Sequence, residues 1–391
     1  MVFLKKSFWT KTYIQNIVIN FLVYTISYQM MQYSTIYSMK YFNTTVSEAG
    51  MASGIFIIGS LISRFISGFY INIIGRKKTI IIGAVIYSIG IILYFAAINY
   101  NMFIIVRFFH GVGFGIIAIA SSVLAAVIIP RSKKGEGIGY FTLSMTLASA
   151  FGPFIILTLI NKEIFSIGLY IAALMSIIII VLTIFVKIPE NHSTLKCNDS
   201  QLSKSISHFI SKQTLPIGFI GFLSGICFSS VLSYIGIYAK MIGLADAAGI
   251  YFIVYGIASF ISRPIIGKLF DRCGSNIIMY PALILIIISM FLTGIAHTES
   301  VLLLSAFLIG TANAGITAGG HTIAINKVSP NEIGTSTATF YALLELGYGI
   351  GPIILGNTVF MYGIRSLYFS AMVVGVIGMI SYSILSGKFN H

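Results

Sequence analysis

Cut at its polar clusters, the chain falls into twelve apolar runs. They lie near 13–39, 47–71, 79–98, 103–129, 137–160, 164–187, 214–239, 247–270, 277–296, 300–326, 333–358 and 364–386. Each is close to the ~20 residues that a helix needs to cross hydrocarbon. No water inside a bilayer satisfies backbone N–H and C=O groups, so such runs must close their hydrogen bonds internally, as helices. Composition agrees: 57% of residues are hydrophobic and 9% charged, with mean hydropathy +0.96. Soluble domains carry about 25% charged residues, and a soluble chain this apolar would expose large aggregating patches. The expected fold class is an all-α membrane protein with twelve transmembrane helices. Lys5, Lys6 and Lys11 precede a first run too long for a signal peptide, and no small-residue cleavage site follows it, so no cleaved signal is expected.

The net charge of +14 is better read as topology than as affinity for nucleic acid. With both termini inside, seventeen of the 24 Lys and Arg fall in cytoplasmic segments, and only Lys40, Lys162, Lys240 and Arg365 fall outside. That asymmetry obeys the positive-inside rule. The expectation is a multi-pass protein of the cell membrane, both termini cytoplasmic, monomeric, embedded in the lipid bilayer, with no nucleic-acid partner. Cys197, Cys227 and Cys273 have no metal-ligand spacing. No disulfide, metal or cofactor is expected.

The chain also repeats itself. Arg64, Gly68, Gly75, Gly111, Gly152 and Pro153 recur as Arg263, Gly267, Gly274, Gly310, Gly351 and Pro352, each 199 residues later in a chain of 391. A constant offset of about half the length marks a duplicated unit. The expected organisation is a six-helix bundle over 1–187, a cytoplasmic linker over 188–213 that contains Pro189-Glu190-Asn191-His192, and a second six-helix bundle over 214–391. Parallel repeats about an axis along the membrane normal are one of the transporter architectures.

At this point the whole chain resembles the major facilitator superfamily. The turn after the second run has Gly68, Asn72, Gly75, Arg76 and Lys77 where that family has G-x-L-a-D-R-x-G-R-R/K. Asn72 stands in place of the usual Asp. The second copy keeps the acid, as Asp271-Arg272-Cys273-Gly274. The resemblance implies that these loops, with Arg64 and Arg263 one turn before them, latch the two halves. Snorkelling to the interface is the plainer role for both arginines. An asparagine brings no charge to a helix dipole, so the acid of the latch is expected at Asp271. Gly68 and Gly267 are expected to allow close helix approach.

Arg107-Phe108-Phe109-His110-Gly111 resembles R-x-x-Q-G, with His110 in place of Gln. Gly152-Pro153, and more fully Gly347-Tyr348-Gly349-Ile350-Gly351-Pro352, resemble the helix-packing motif of the efflux branch.

An ionisable group inside a span costs at least ~2.5 kcal/mol and needs a reason. Of ten acids only Glu345 sits well inside a run, twelve residues past Ile333, hence ~18 Å along the helix. It is the candidate proton site; the alternative is a structural carboxylate. Arg107 is expected to face a wet central cavity, and the resemblance implies that it takes part in proton or substrate coupling; His110 lies one turn away on the same face. Gln29, Gln32 and Tyr33 in the first run, and Asn313, Thr317 and His321 at helical spacing in the tenth, are candidate cavity residues. Small residues around the latter stripe equally permit close packing.

The function expected is proton-coupled efflux (antiport) of a small organic molecule by alternating access. Uptake of a nutrient and export of a metal-chelating metabolite are the alternatives. The chain holds no Ser/His/Asp set, H-E-x-x-H or G-x-x-x-x-G-K-[ST], so neither an enzyme nor an ATP-driven pump is expected.

Overall fold

The computed structural model describes residues 9–129, 134–187, 210–328 and 333–386. These residues form twelve α-helices and no strand: α1 Lys11–Tyr41, α2 Val46–Ile74, α3 Arg76–Leu93, α4 Tyr100–Ile128, α5 Lys134–Asn161, α6 Phe165–Phe185, α7 Leu215–Met241, α8 Ala245–Cys273, α9 Asn276–Ile295, α10 Glu299–Asn326, α11 Ile333–Tyr362 and α12 Ser366–Ser386. Each overlies one apolar run. The main departure is α3, which starts three residues early and ends in a 3-10 turn at Tyr94–Ala96. Most of the expected linker lies outside the described residues.

Eleven of the twelve helices are long and apolar enough to cross a membrane, and α1 is the exception. Its polarity has a structural use. Asn16 Nδ2 donates to the Ser121 carbonyl at 2.9 Å, Asn20 Nδ2 to Ser144 Oγ at 2.8 Å and Gln29 Nε2 to the Gly168 carbonyl at 2.7 Å, all buried. A helix whose polar groups are met by its neighbours needs less apolar character to sit among them.

Two compact units emerge. Unit 1 comprises residues 1–30 and 58–192; unit 2 comprises 31–57 and 193–391. In unit 1, α3 packs against α4 and α6; in unit 2, α9 packs against α10 and α12, and α8 against α10. The helices 3, 4 and 6 thus recur as 9, 10 and 12, so the sequence repeat is also a packing repeat.

The repeated turns share a backbone. Gly75, before α3, has φ +92°, and Gly274, after α8, has φ +79°. L side chains are strained at such positive φ, and both copies hold glycine. Gly68 is different. It is exposed, and an added Cβ meets only Ile119, at 3.9 Å. The expected close approach at Gly68 is not found. The α2–α4 contact is made instead at Gly59, against the Phe108 carbonyl, and Gly115, against the Ser60 carbonyl.

Unit 2 contains a second dense contact, between residues 46–57 and α7 and α11. Gly54 meets the Gly349 carbonyl. Ser53 and Ser233 hydroxyls lie 2.9 Å apart, and Ser47 Oγ donates to Asn357 Oδ1 at 2.6 Å. The Tyr234 hydroxyl lies 2.6 Å from the Pro352 carbonyl and 3.1 Å from that of Val46.

Candidate functional site

In unit 1 the polar residues of α4 meet the end of α3. Arg107 and His110 are three residues apart and therefore share a helix face. Tyr94, in the turn after α3, bridges them: Arg107 Nη1 lies 3.3 Å and His110 Nδ1 3.2 Å from its hydroxyl. A guanidinium only donates. Tyr94 Oη therefore accepts from Arg107 and shares a second hydrogen bond with His110 Nδ1, whose direction follows the His110 tautomer. The Tyr87 ring lies 4.4 Å from the His110 ring at 31°, and its hydroxyl donates to the Val23 carbonyl at 2.8 Å. Arg107 and His110 are both 0% exposed. The wet cavity expected around Arg107 is not found, because Tyr94 and the α3 backbone at Gly90 cover this face.

In unit 2 a polar face runs over α10 and α11. Asn313, Thr317 and His321 are spaced by four on α10, and Thr337, Tyr341 and Glu345 by four on α11; all six are partly buried. His321 Nε2 lies 2.9 Å from Thr337 Oγ1, and its ring is 5.2 Å from that of Tyr341. Asn313 Nδ2 donates to Tyr255 Oη of α8 at 2.8 Å, and Thr317 Oγ1 to the Asn313 carbonyl at 2.7 Å. Arg263 lies eight residues past Tyr255 on α8, and Glu345 four residues past Tyr341 on α11. Polar groups at membrane depth face protein or a water-filled space.

The remaining candidates are dispersed. Gln29 and Gln32 are 0% exposed. Gln29 is held as described above, and Gln32 Nε2 donates to the Val231 and Leu232 carbonyls at 3.1 and 2.9 Å. Tyr33 is buried, stacked on Tyr37 at 5.2 Å. In this conformation all three are buried; the Nε2 groups of Gln29 and Gln32 go to carbonyls of neighbouring helices, while their Oε1 atoms have no hydrogen-bond partner among the described residues. Arg64 does not snorkel: its Nη2 donates to Tyr24 Oη at 3.3 Å and its guanidinium lies 5.2 Å from the centre of the Phe114 ring. Arg76 opens α3, partly buried. Asn72, Gly267, Asp271 and Arg272 lie in α2 and α8, but the surroundings of Gly267 and the side chains of the other three lie outside the described residues.

Gly152 abuts the Thr25 carbonyl, Gly347 the Phe222 carbonyl, and Gly351 lies against Ser229 and Ile226. Pro153 and Pro352 sit inside continuous helices. Tyr94, Thr337 and Tyr341 were not among the sequence candidates. The last two carry a legible signal, four- and eight-residue spacing from Glu345, while Tyr94 carries none.

The sequence model of the Major Facilitator Superfamily matches residues 17–298 and 245–386. The chain belongs to that superfamily. Like other major facilitators it is a multi-pass membrane transporter. It is 23% identical over 342 residues to an uncharacterized MFS-type transporter of Methanocaldococcus jannaschii, covering 86% of this chain and 88% of that one. It is 25% identical over 308 residues to the multidrug resistance protein MdtG of Proteus mirabilis, covering 77% and 76%. The fold matches a mutant form of the nucleoside transporter NupG with TM-score 0.81 at 15% identity over 96% and 100% of the chains. It matches a D-xylose-proton symporter with TM-score 0.77 at 17% identity over 96% and 97%.

Proposed function

We propose that this transporter exports small organic molecules by alternating access, driven by protons that Glu345 takes and releases. The observation that carries the reading is the α11 face. Glu345 lies twelve residues into a 30-residue helix, in line with Tyr341 and Thr337, which both contact His321. A carboxylate at that depth is costly unless its charge is used. Similarity to the multidrug resistance protein MdtG supports export over uptake. Arg107 and His110, tied through Tyr94, act as a supporting polar pair. The Lys and Arg asymmetry supports cytoplasmic termini in the cell membrane, with six-helix bundles joined by 188–213. The matched turns at Gly75 and Gly274 support a paired latch that includes Arg76 and Asp271.

Glu345→Gln tests the coupling. It keeps the shape and most hydrogen bonds but cannot titrate. In inverted vesicles the variant is expected to express and exchange substrate, yet to lose accumulation driven by an imposed pH gradient. Undiminished accumulation with unchanged pH dependence would refute the role of Glu345. Accumulation only in right-side-out vesicles would reverse the direction to uptake.

A further inference from the structure

The polar face of unit 2 carries charges of both signs. Glu345 supplies the negative one, four residues past Tyr341 on α11; Arg263 supplies the positive one, eight residues past Tyr255 on α8 and so on the helix face that holds Asn313. Arg263 Nε is buried and has no hydrogen-bond partner among the described residues. A buried charged donor left unmet calls for an acceptor. Aromatic surface borders the face: Tyr341 and His321 lie ring to ring at 5.2 Å and 48°, and Tyr255, which holds Asn313, stacks on Phe228 at 5.1 Å and 27°.

Resting on the reading of Glu345 as the working acid, we propose that this face of unit 2 binds zwitterionic aromatic molecules. Arg263 takes their anionic group and Glu345 their cationic nitrogen. A lipophilic cation placed here meets repulsion from Arg263, and a simple anion meets repulsion from Glu345. Only a molecule carrying both signs is attracted at both ends. In a partly dry site such interactions fall off slowly with distance, so both charges are felt by one bound molecule. A guanidinium keeps its charge at every physiological pH, so the preference for an anionic group at Arg263 is permanent.

The test uses the full chain in proteoliposomes and counterflow exchange at equal pH on both sides, so it does not depend on proton drive. Aromatic amino acid scaffolds are compared as free zwitterion, as methyl ester (cation) and as N-acetyl derivative (anion). The wild type is expected to exchange the zwitterion at least ~10-fold faster than either derivative, about 1.4 kcal/mol of discrimination. Arg263→Gln is expected to lose the preference over the ester, and Glu345→Gln the preference over the N-acetyl form. Should Arg263→Gln fail to fold, Arg263→Lys retains the charge without the Nε donor. It is expected to exchange the zwitterion more slowly while keeping the order of the three forms.

Equal exchange of ester and zwitterion by the wild type overturns the proposal. So does wild-type discrimination in Arg263→Gln, a changed order in Arg263→Lys, or no exchange of any form on any scaffold. Loss of pH-driven accumulation has no bearing on the charge preference. Conversely, persistent uphill accumulation by Glu345→Gln removes the coupling role, while the charge preference is judged by counterflow alone.

Discussion

Tyr94 turns two α4 residues into a unit. Its oxygen accepts from Arg107 and shares a hydrogen bond with His110 Nδ1, so what the site needs at position 110 is a polar group that bonds the phenol. A glutamine amide, which can donate or accept, meets that need. His110→Gln is therefore expected to keep most counterflow and normal expression. His110→Leu removes this buried hydrogen bond and should lower stability by about 1–3 kcal/mol, read as a drop in the thermal unfolding midpoint in detergent. If His110→Gln expresses normally but abolishes pH-driven transport, His110 titrates in the cycle and Glu345 is not the only carrier. The sequence placed Arg107 and His110 on one face because spacing along a single helix is readable. Tyr94 escaped because it comes from another run, and no spacing rule links the two. The burial of Gln29 and Gln32 was not legible for a related reason. A polar side chain in an apolar run has the same appearance whether it meets water in a cavity or a carbonyl of the next helix.

The ends of helices hold their own devices. Lys77 Nζ reaches the last turn of α6, where it donates to the Thr183, Ile184 and Val186 carbonyls at 2.7, 2.6 and 2.6 Å. These carbonyls have no intrahelical donors, and a cation there also opposes the helix dipole. Lys77→Met is expected to cost about 1 kcal/mol, and Lys77→Arg to retain most of the stabilisation; thermal unfolding of the purified variants measures both. Unchanged unfolding in Lys77→Met would mean that water serves these carbonyls equally well. Gly75→Ala and Gly274→Ala force a side chain into a left-handed backbone and should each cost about 1–2 kcal/mol. At this scale the sequence was most informative, since apolar runs and helices nearly coincide. It erred where composition and structure part. The 3-10 turn at Tyr94–Ala96 lies inside an apolar run, and α1 is more polar than a typical span because its neighbours supply partners.

Across the whole chain the 199-residue repeat was legible, and it returns as α3 packing on α4 and α6 and α9 packing on α10 and α12. The division of α1 and α2 between two units was not legible. Contacts such as Gly54 against the Gly349 carbonyl involve no side chain that a pattern could reveal. The topology proposed from the charge asymmetry has a direct check in intact cells carrying single cysteines. A cysteine at Ser203 is expected to react only after permeabilisation and one at Asn161 without it; the reverse pattern would invert the chain. The glycine contacts also bear on heredity. At Gly54, Gly152, Gly225 and Gly347 a backbone carbonyl occupies the place of a first side-chain carbon, so these sites are closed to mutation in any lineage that keeps the fold. Residues on the α10 and α11 polar face have room to vary. A population selected for a new cargo should accumulate its changes there and leave the glycines untouched, which makes the protein evolvable in what it carries and nearly frozen in how it is packed.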